Sequence, residues 1–150
     1  MKDLQFDIAV AAPVARVWDC MFDPIAYRDW TRAFAEGSYF EGHWRPGRRL
    51  RFLDPRGFGM EAIVDECRTH ELMALRLVGE LRDGRPVADS SLAREPAHER
   101  YTFAPTPEGT QLVVQLQGWA DGFTDFLQTT WPQALLRLKA LAESDRKSVV

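Results

Sequence analysis

The hydrophobic period of the chain changes from two to between three and four near residue 120, and this change limits the folds it can adopt. Between about Tyr39 and Gln117, apolar residues mostly alternate with polar ones, which is typical of strands with one buried face. From 122 to 144, apolar residues recur at steps of three or four, which predicts a helix. A sheet with one apolar face needs a cover, and this last helix is the only long element available.

The first thirty residues predict a strand and two short helices. Alternation from Leu4 to Val10 indicates a half-buried strand. A short helix is predicted over 13–22, opened by a proline whose missing N–H costs nothing at that position. Asp23 is a plausible cap for a second helix that ends near Trp30.

Six further strands are predicted before the last helix. Turn signals such as Pro46-Gly47 separate them, and the polar segment 82–97 is the longest predicted loop. The predicted strands lie near 39–42, 49–53, 60–65, 73–78, 100–103 and 112–117.

The last helix carries an internal proline. We expect Asp121 to be its N-cap and Pro132 to kink it, because proline removes one backbone hydrogen bond. A break at Thr130 is the alternative. We expect 1–144 to form one domain and 145–150 to be a frayed tail.

Composition narrows the functional classes. The 150 residues fit one domain, with 45% hydrophobic and 27% charged residues, as in an ordinary globular protein. The net charge of −3 and the lack of a binding motif argue against nucleic acid. Two cysteines cannot form a disulfide framework, and no stretch suggests a signal peptide or a membrane span. We therefore expect a cytoplasmic protein.

Three local patterns carry a resemblance to a known superfamily. They are Ile8-x-x-x-Ala12-Pro13-x-x-x-Val17-Trp18, then Trp30 followed by Phe40-x-Gly42 and Pro46-Gly47, and last Trp131-Pro132-x-x-Leu135-x-x-Leu138-Lys139-x-Leu141. Their order over the whole chain resembles the START-like (SRPBCC) superfamily, which includes Bet v 1-type proteins and polyketide cyclases. The most similar branch is the bacterial group that resembles the C-terminal domain of the activator of Hsp90 ATPase.

The resemblance implies an α+β helix-grip fold. In this fold, a curved antiparallel sheet of about seven strands wraps a long C-terminal helix, and two short helices follow the first strand. It also implies a cavity between sheet and helix for an apolar or amphipathic small molecule, with no particular reaction. The eukaryotic co-chaperone uses a separate N-terminal domain, for which this sequence has no room, so we do not expect its activity to transfer.

Large side chains at inward positions favour such a cavity, because many rigid rings around a curved sheet are hard to interlock without a void. We expect the ligand-binding residues to be Trp30, Phe34, Phe40, Trp44, Phe52, Phe58, Met60, Leu75, Leu77, Tyr101, Phe103, Trp119, Phe123, Leu127 and Trp131.

Polar groups would orient the ligand. Tyr101 is the best candidate, although its hydroxyl could instead bond a nearby backbone carbonyl, and the indoles of Trp30 and Trp44 can each donate one N–H. No inward carboxylate is evident, and whether Glu36 or Glu80 reaches the cavity mouth stays open.

No catalytic or metal-binding motif is present. His43, His70 and His98 lie in separate segments without ligand spacing, so we expect neither a metal nor a cofactor.

Three functions remain open. Non-catalytic binding of an apolar small molecule is favoured, and a cyclase- or aromatase-like enzyme would need a buried ionisable group facing the cavity. The third is a protein-interaction module that docks an acidic partner through Arg45, Arg48, Arg49 and Arg51. The favoured alternative is that these arginines are solvated on the outer sheet face and pair with strand carboxylates such as Glu61 and Asp65.

Overall fold

The computed structural model describes residues 3–144, so the tail expected at 145–150 lies outside the described residues. The helices are α1 (Val14–Phe22), α2 (Pro24–Trp30), α3 (Ser91–Arg94) and α4 (Asp121–Glu143). The strands are β1 (Leu4–Val10), β2 (Tyr39–Gly42), β3 (Arg49–Leu53), β4 (Gly59–Arg68), β5 (Leu72–Arg82), β6 (Arg85–Pro86), β7 (Ala97–Thr106) and β8 (Gly109–Gln117).

The strands form one curved antiparallel sheet in the order β1-β8-β7-β5-β4-β3-β2, with the short β6 paired to β5. The predicted α+β helix-grip class is therefore confirmed, with eight strands where about seven were expected. The extra strand lies in the segment 82–97, which was expected to be a loop. Asp83 and Gly84 both have positive φ, as a two-residue hairpin turn requires, so this segment turns back on β5.

The short helices begin where local chemistry favours them. The carboxylate of Asp23 accepts hydrogen bonds from the backbone N–H groups of Ile25 and Ala26, both at 3.0 Å. This confirms the predicted cap, and Pro24 occupies the first helical position, where it needs no donor.

Helix α4 runs without a break from Asp121 to Glu143 and covers the core. Its N-cap is Ala120, so Asp121 is the first helical residue and the predicted N-cap was wrong by one position. The helix continues through Pro132, so the alternative of a break at Thr130 was wrong. Pro132 lies on the exposed face of the helix. The inward face carries buried residues three or four positions apart, including Leu127, Trp131 and Leu138.

Arg16 of α1 connects this helix to the C-terminal end of α4. Its guanidinium donates hydrogen bonds to the carbonyl oxygens of Leu141, Ala142 and Ser144 at 2.6 to 3.1 Å. These carbonyls lack helical partners at the end of α4, and a cation there also interacts favourably with the helix dipole. Arg16 therefore fixes α4 against α1.

Candidate functional site

A cavity of about 480 Å³ lies between the sheet, the α1–α2 segment and α4. Its volume is within the range of small-molecule pockets, roughly 300–1,000 Å³. It is lined from the sheet by residues of β3, β4, β5 and β7 and from the other side by both short helices and α4.

The lining is dominated by aromatic rings. Of the seventeen aromatic residues in the sequence, twelve line the cavity. They are Phe22, Tyr27, Trp30, Phe34, Trp44, Phe52, Phe58, Tyr101, Trp119, Phe123, Phe126 and Trp131.

Most of the residues expected to bind the ligand lie at this cavity. Twelve of the fifteen are in its lining: Trp30, Phe34, Trp44, Phe52, Phe58, Met60, Leu77, Tyr101, Trp119, Phe123, Leu127 and Trp131. Whether these residues contact a ligand stays a prediction.

The other three expected residues lie away from the cavity, so they do not belong to its wall. Leu75 is buried within the sheet core between Val64 and Glu99 on the neighbouring strands. Phe103 packs against Trp18 of α1 at a ring distance of 5.0 Å. Phe40 packs edge-on against Tyr27, with 5.0 Å between the ring centres. Phe40 and Phe103 thus pack against neighbouring rings, which alternation alone cannot reveal.

Tyr27 joins the aromatic wall contributed by α2 to that of β2 and β3. Its ring lies 5.4 Å from that of Trp30 and is stacked on Phe52 at 6.2 Å. Trp44 closes the same cluster, with ring distances of 5.6 Å to Phe52 and 4.6 Å to Phe22. Offset and edge-on ring contacts of this kind are favourable, so the rings of this wall stabilise one another.

A carboxyl group, Glu99, lies in this aromatic surface. Its neighbours across the sheet are Leu75 on β5 and Leu116 on β8, both fully buried. The hydroxyl of Tyr101 donates a hydrogen bond to Glu99 Oε1, and no second hydrogen bond or ion pair of this carboxylate occurs within residues 3–144. Glu99 therefore presents an acid to the cavity with one protein partner.

The surroundings of Glu99 change its titration. Burial raises the pKa of Glu99 to about 7, and the hydrogen bond from Tyr101 only partly offsets this. Burial, followed by the charge of Glu99, raises the pKa of both Tyr27 and Tyr101 well above the usual value for a phenol. Near neutral pH this cluster can hold or release one proton, at Glu99, while both phenols stay protonated.

Two further carboxylates line the cavity, and both have partners. Glu80 accepts a hydrogen bond from Ser90 Oγ at 3.0 Å. Asp54 pairs with Arg56 at 3.0 Å; burial raises its pKa, but hydrogen bonds from Arg56 and Phe58 outweigh this and hold it below the usual value. Of the two glutamates left open by the sequence, Glu80 is thus at the cavity, whereas Glu36 is exposed and pairs with Arg32.

The indole groups contribute unpaired donors. The Nε1 atoms of Trp44, Trp119 and Trp131 are buried and have no hydrogen-bond partner in the described part of the chain. Trp30 differs, because its Nε1 donates to the carbonyl oxygen of Met21 at 3.3 Å. Buried donors are normally paired, and each one left unpaired costs about 1–3 kcal/mol.

The cavity opens to solvent beside two exposed rings. Phe58 and Phe126 are 40% and 51% exposed and both belong to the lining. Phe58 is held by a turn in which its N–H donates to Asp54 at 3.1 Å and the Arg56 guanidinium lies 4.8 Å from its ring. Exposed apolar rings at an entrance are suited to an apolar molecule entering from water.

The arginine cluster lies apart from the cavity. Arg45 and Arg48 are exposed, whereas Arg49 and Arg51 reach Glu61 at 3.8 and 3.3 Å. The expected pairing on the outer face of the sheet is therefore present. Docking of a protein partner at Arg45, Arg48, Arg49 and Arg51 stays a prediction.

The three histidines and the two cysteines lie outside the lining of this cavity. His43, His70 and His98 are exposed, and residues 3–144 contain no group of three side chains placed to hold a metal. No helix in this range is long and apolar enough to cross a membrane. Cys20 and Cys67 are free thiols, and burial raises the pKa of each.

Several lining residues were missed by sequence reasoning, among them Phe22 and Phe126, and two of those missed, Glu99 and Tyr27, matter most for the chemistry of the site. Glu99 was overlooked although it lies on the same parity of β7 as Tyr101 and Phe103, so the statement that no inward carboxylate is evident was wrong. Tyr27 was treated only as a helix residue. Extending the alternation of Tyr101 back by two positions would have identified Glu99.

The fold and its aromatic cavity define a helix-grip protein. The chain belongs to the family described as Activator of Hsp90 ATPase homolog 1-like protein, whose profile matches residues 11–143. This confirms the START-like resemblance identified from the sequence. Among curated proteins, no sequence matches this chain significantly.

Solved structures support the same fold. Protein MLL2253 from Mesorhizobium loti superposes with a TM-score of 0.78 at 15% identity, covering 97% of this chain and 99% of that one. The Aha1 dimer from Colwellia psychrerythraea gives 0.74 at 13%, with coverage of 97% and 99%. DynU16, a putative protein in the dynemicin biosynthetic locus, gives 0.73 at 18%; the match covers 99% of this chain and 49% of that one. At such identities the likeness concerns the fold alone.

Proposed function

We propose that this protein binds one apolar or amphipathic small molecule in the cavity between its sheet and α4. The observation that carries the proposal is the cavity itself, about 480 Å³ with twelve aromatic residues in its wall. Apolar and aromatic walls with a few polar groups are the usual composition of small-molecule sites. The exposed rings of Phe58 and Phe126 give such a molecule an apolar entrance.

Unpaired polar atoms support an occupant with acceptor groups. Trp44, Trp119 and Trp131 line the cavity, and their buried Nε1 donors have no protein partner among residues 3–144. A ligand oxygen, met by a small rotation of an indole, would supply the missing acceptor. A ligand that is apolar over most of its surface and carries a few acceptors suits this wall.

Titration with N-phenyl-1-naphthylamine, a neutral dye whose emission rises in apolar surroundings, tests the proposal. We expect saturable binding of one dye per protein at neutral pH, with cooperative thermal unfolding retained and shifted upward by the dye. Cooperative unfolding separates a formed pocket from a molten globule, which also binds such dyes. Absence of saturable binding to the cooperatively folded protein would contradict the proposal.

A protein-interaction role is the less favoured alternative. The family description refers to an activator of Hsp90 ATPase, and one structural neighbour is a dimer. A filled core would have favoured this reading, whereas the cavity here favours a small molecule. The expected cytoplasmic location stays a prediction.

Glu99 favours a second candidate function, catalysis by proton transfer within the same cavity. A general acid or base is most effective when its pKa lies near the working pH, and Glu99 has a pKa of about 7 beside the Tyr101 hydroxyl. The enzyme hypothesis required a buried ionisable group of this kind.

The competence of Glu99 as a base is testable with 5-nitrobenzisoxazole. A base removes the C3 proton of this apolar compound, its N–O bond breaks, and a coloured phenolate forms. We expect a rate above buffer that rises through pH 7, is lost in Glu99→Gln and is kept in Glu66→Gln, a control on β4 that pairs with Arg68. Equal rates in protein and buffer would argue against catalysis and leave binding untouched.

A further inference from the structure

We propose that the cavity selects organic cations, placing an amine on an apolar body beside Glu99 and the rings of Tyr27 and Tyr101. This inference rests on the proposed function, since it names the class of ligand for the same cavity. It concerns the charge of the ligand, which neither the family nor the fold specifies.

The charged residues that line the cavity are mostly acidic. Three lining residues carry carboxylates, Asp54, Glu80 and Glu99, and one carries a guanidinium, the exposed Arg82. Asp54 already pairs with Arg56. The lining therefore carries an excess of negative charge, which a ligand cation would balance.

Glu99 is the group best placed to hold that cation. Its carboxylate receives one hydrogen bond, from Tyr101, and no guanidinium or ammonium pairs with it within the described residues. A half-buried carboxylate flanked by the buried Leu75 and Leu116 and without a counter-charge is costly, and a ligand ammonium would supply both the charge and N–H donors. An anionic ligand would add a second negative charge to the same apolar space.

Aromatic faces around the acid strengthen this preference. Tyr101 donates a hydrogen bond to Glu99, and the Tyr27 ring lines the same cavity. The Trp131 ring follows at 6.0 Å from that of Tyr101. Electron-rich ring faces attract ammonium groups, and the effect is larger where water is excluded.

A cation and a proton would compete for Glu99. The titratable groups facing the cavity are Tyr27, Asp54, Glu80, Glu99 and Tyr101, with Arg82 at its edge. Glu99 is the group among them whose pKa is raised to about 7. At pH 6.5 an ammonium that binds there should therefore expel part of a proton, whereas a neutral ligand should not.

Three probes that share a naphthalene ring with a two-carbon side chain test the charge preference. They are the cation 2-(1-naphthyl)ethylamine, the neutral 2-(1-naphthyl)ethanol and the anion 1-naphthaleneacetate. By calorimetry at pH 7.5 we expect the amine to bind at least about tenfold more tightly than the alcohol, and the acetate most weakly. In Glu99→Gln we expect amine and alcohol to bind within about twofold of each other. Glu66→Gln, the same chemical change at a half-exposed site, should keep the wild-type order.

The possible outcomes separate this inference from the proposed function. An alcohol or acetate that binds as tightly as the amine, or a Glu99→Gln variant that keeps the amine preference, overturns the cation inference and leaves the cavity function standing. Failure of all three probes and of N-phenyl-1-naphthylamine overturns both. If Glu99→Gln does not fold, the wild-type protein still decides: proton release with the amine at pH 6.5, measured in two buffers, supports the inference, and its absence overturns it.

Discussion

The hydroxyl of Tyr101 donates its hydrogen to the carboxylate of Glu99, two positions earlier on the same face of β7. The two side chains place an acid and its partner in a surface made mostly of rings and aliphatic groups. Because this surface desolvates the carboxylate, folding and protonation of Glu99 are coupled. Stability, binding and proton transfer can therefore all be tested at one residue.

Glu99 should make the stability of the protein depend on pH. Its pKa rises from 4.5 to about 7 on folding, so the folded state binds the proton more tightly. Below about pH 4.5, this tighter proton binding contributes its full amount, about 3 kcal/mol, to the free energy of unfolding. The contribution is lost as the pH rises to about 7. Urea unfolding of wild type and Glu99→Gln at pH 5 and pH 8 measures it.

The difference in free energy of unfolding between wild type and Glu99→Gln reports on Glu99 alone, because the other titrating groups contribute equally to both proteins. We expect Glu99→Gln to gain stability relative to wild type on going from pH 5 to pH 8, whereas Glu66→Gln should follow wild type. A constant difference between Glu99→Gln and wild type would mean that Glu99 is not desolvated.

The inward face of α4 is tested by two leucines on the same helix. Leu138 is fully buried and Leu136 is 61% exposed. Leu138→Ala should lower the free energy of unfolding by about 2–5 kcal/mol, and Leu136→Ala by less than about 0.5 kcal/mol. Chemical denaturation measures both, and similar effects at the two positions would show that α4 presents a different face.

The link between α1 and the end of α4 is tested at Arg16. Its three carbonyl partners would lose a charged donor in Arg16→Met, so we expect a loss of about 1–3 kcal/mol. Arg94→Met is the matched control, because Arg94 is exposed and makes one bond, at 3.5 Å, to the Asp89 carbonyl. Equal thermal stability of Arg16→Met and wild type would contradict this role.

The sequence predicted the strands well, because each buries one face and side chains alternate with period two. Leu112 and Tyr101 were assigned to the inward face from this pattern, and both are buried. Alternation was less informative about which inward residues border a cavity. Phe103 has the right parity, but Trp18 fills the space in front of it.

Local signals that compete with packing were harder to interpret. The Asp83-Gly84 turn lies in a polar segment, so the short strand after it was missed. Pro132 left a break at Thr130 open, yet α4 continues through it, since the missing hydrogen bond lies on the exposed side of the helix. The kink expected at Pro132 stays a prediction. The pKa of Glu99 depends on neighbours from β5 and β8, which no local pattern contains.

Dye binding by two tryptophan variants is the most direct test of whether the cavity is a binding site. Met60 lines the cavity, whereas Phe103 packs in the core against Trp18. Met60→Trp should lower the affinity for N-phenyl-1-naphthylamine at least tenfold with little loss of stability, because the ring enters open space. Phe103→Trp should keep the affinity within about twofold and lose about 1–3 kcal/mol of stability by overpacking. The reverse pattern, with dye binding unaffected by Met60→Trp, would contradict a ligand site in this cavity.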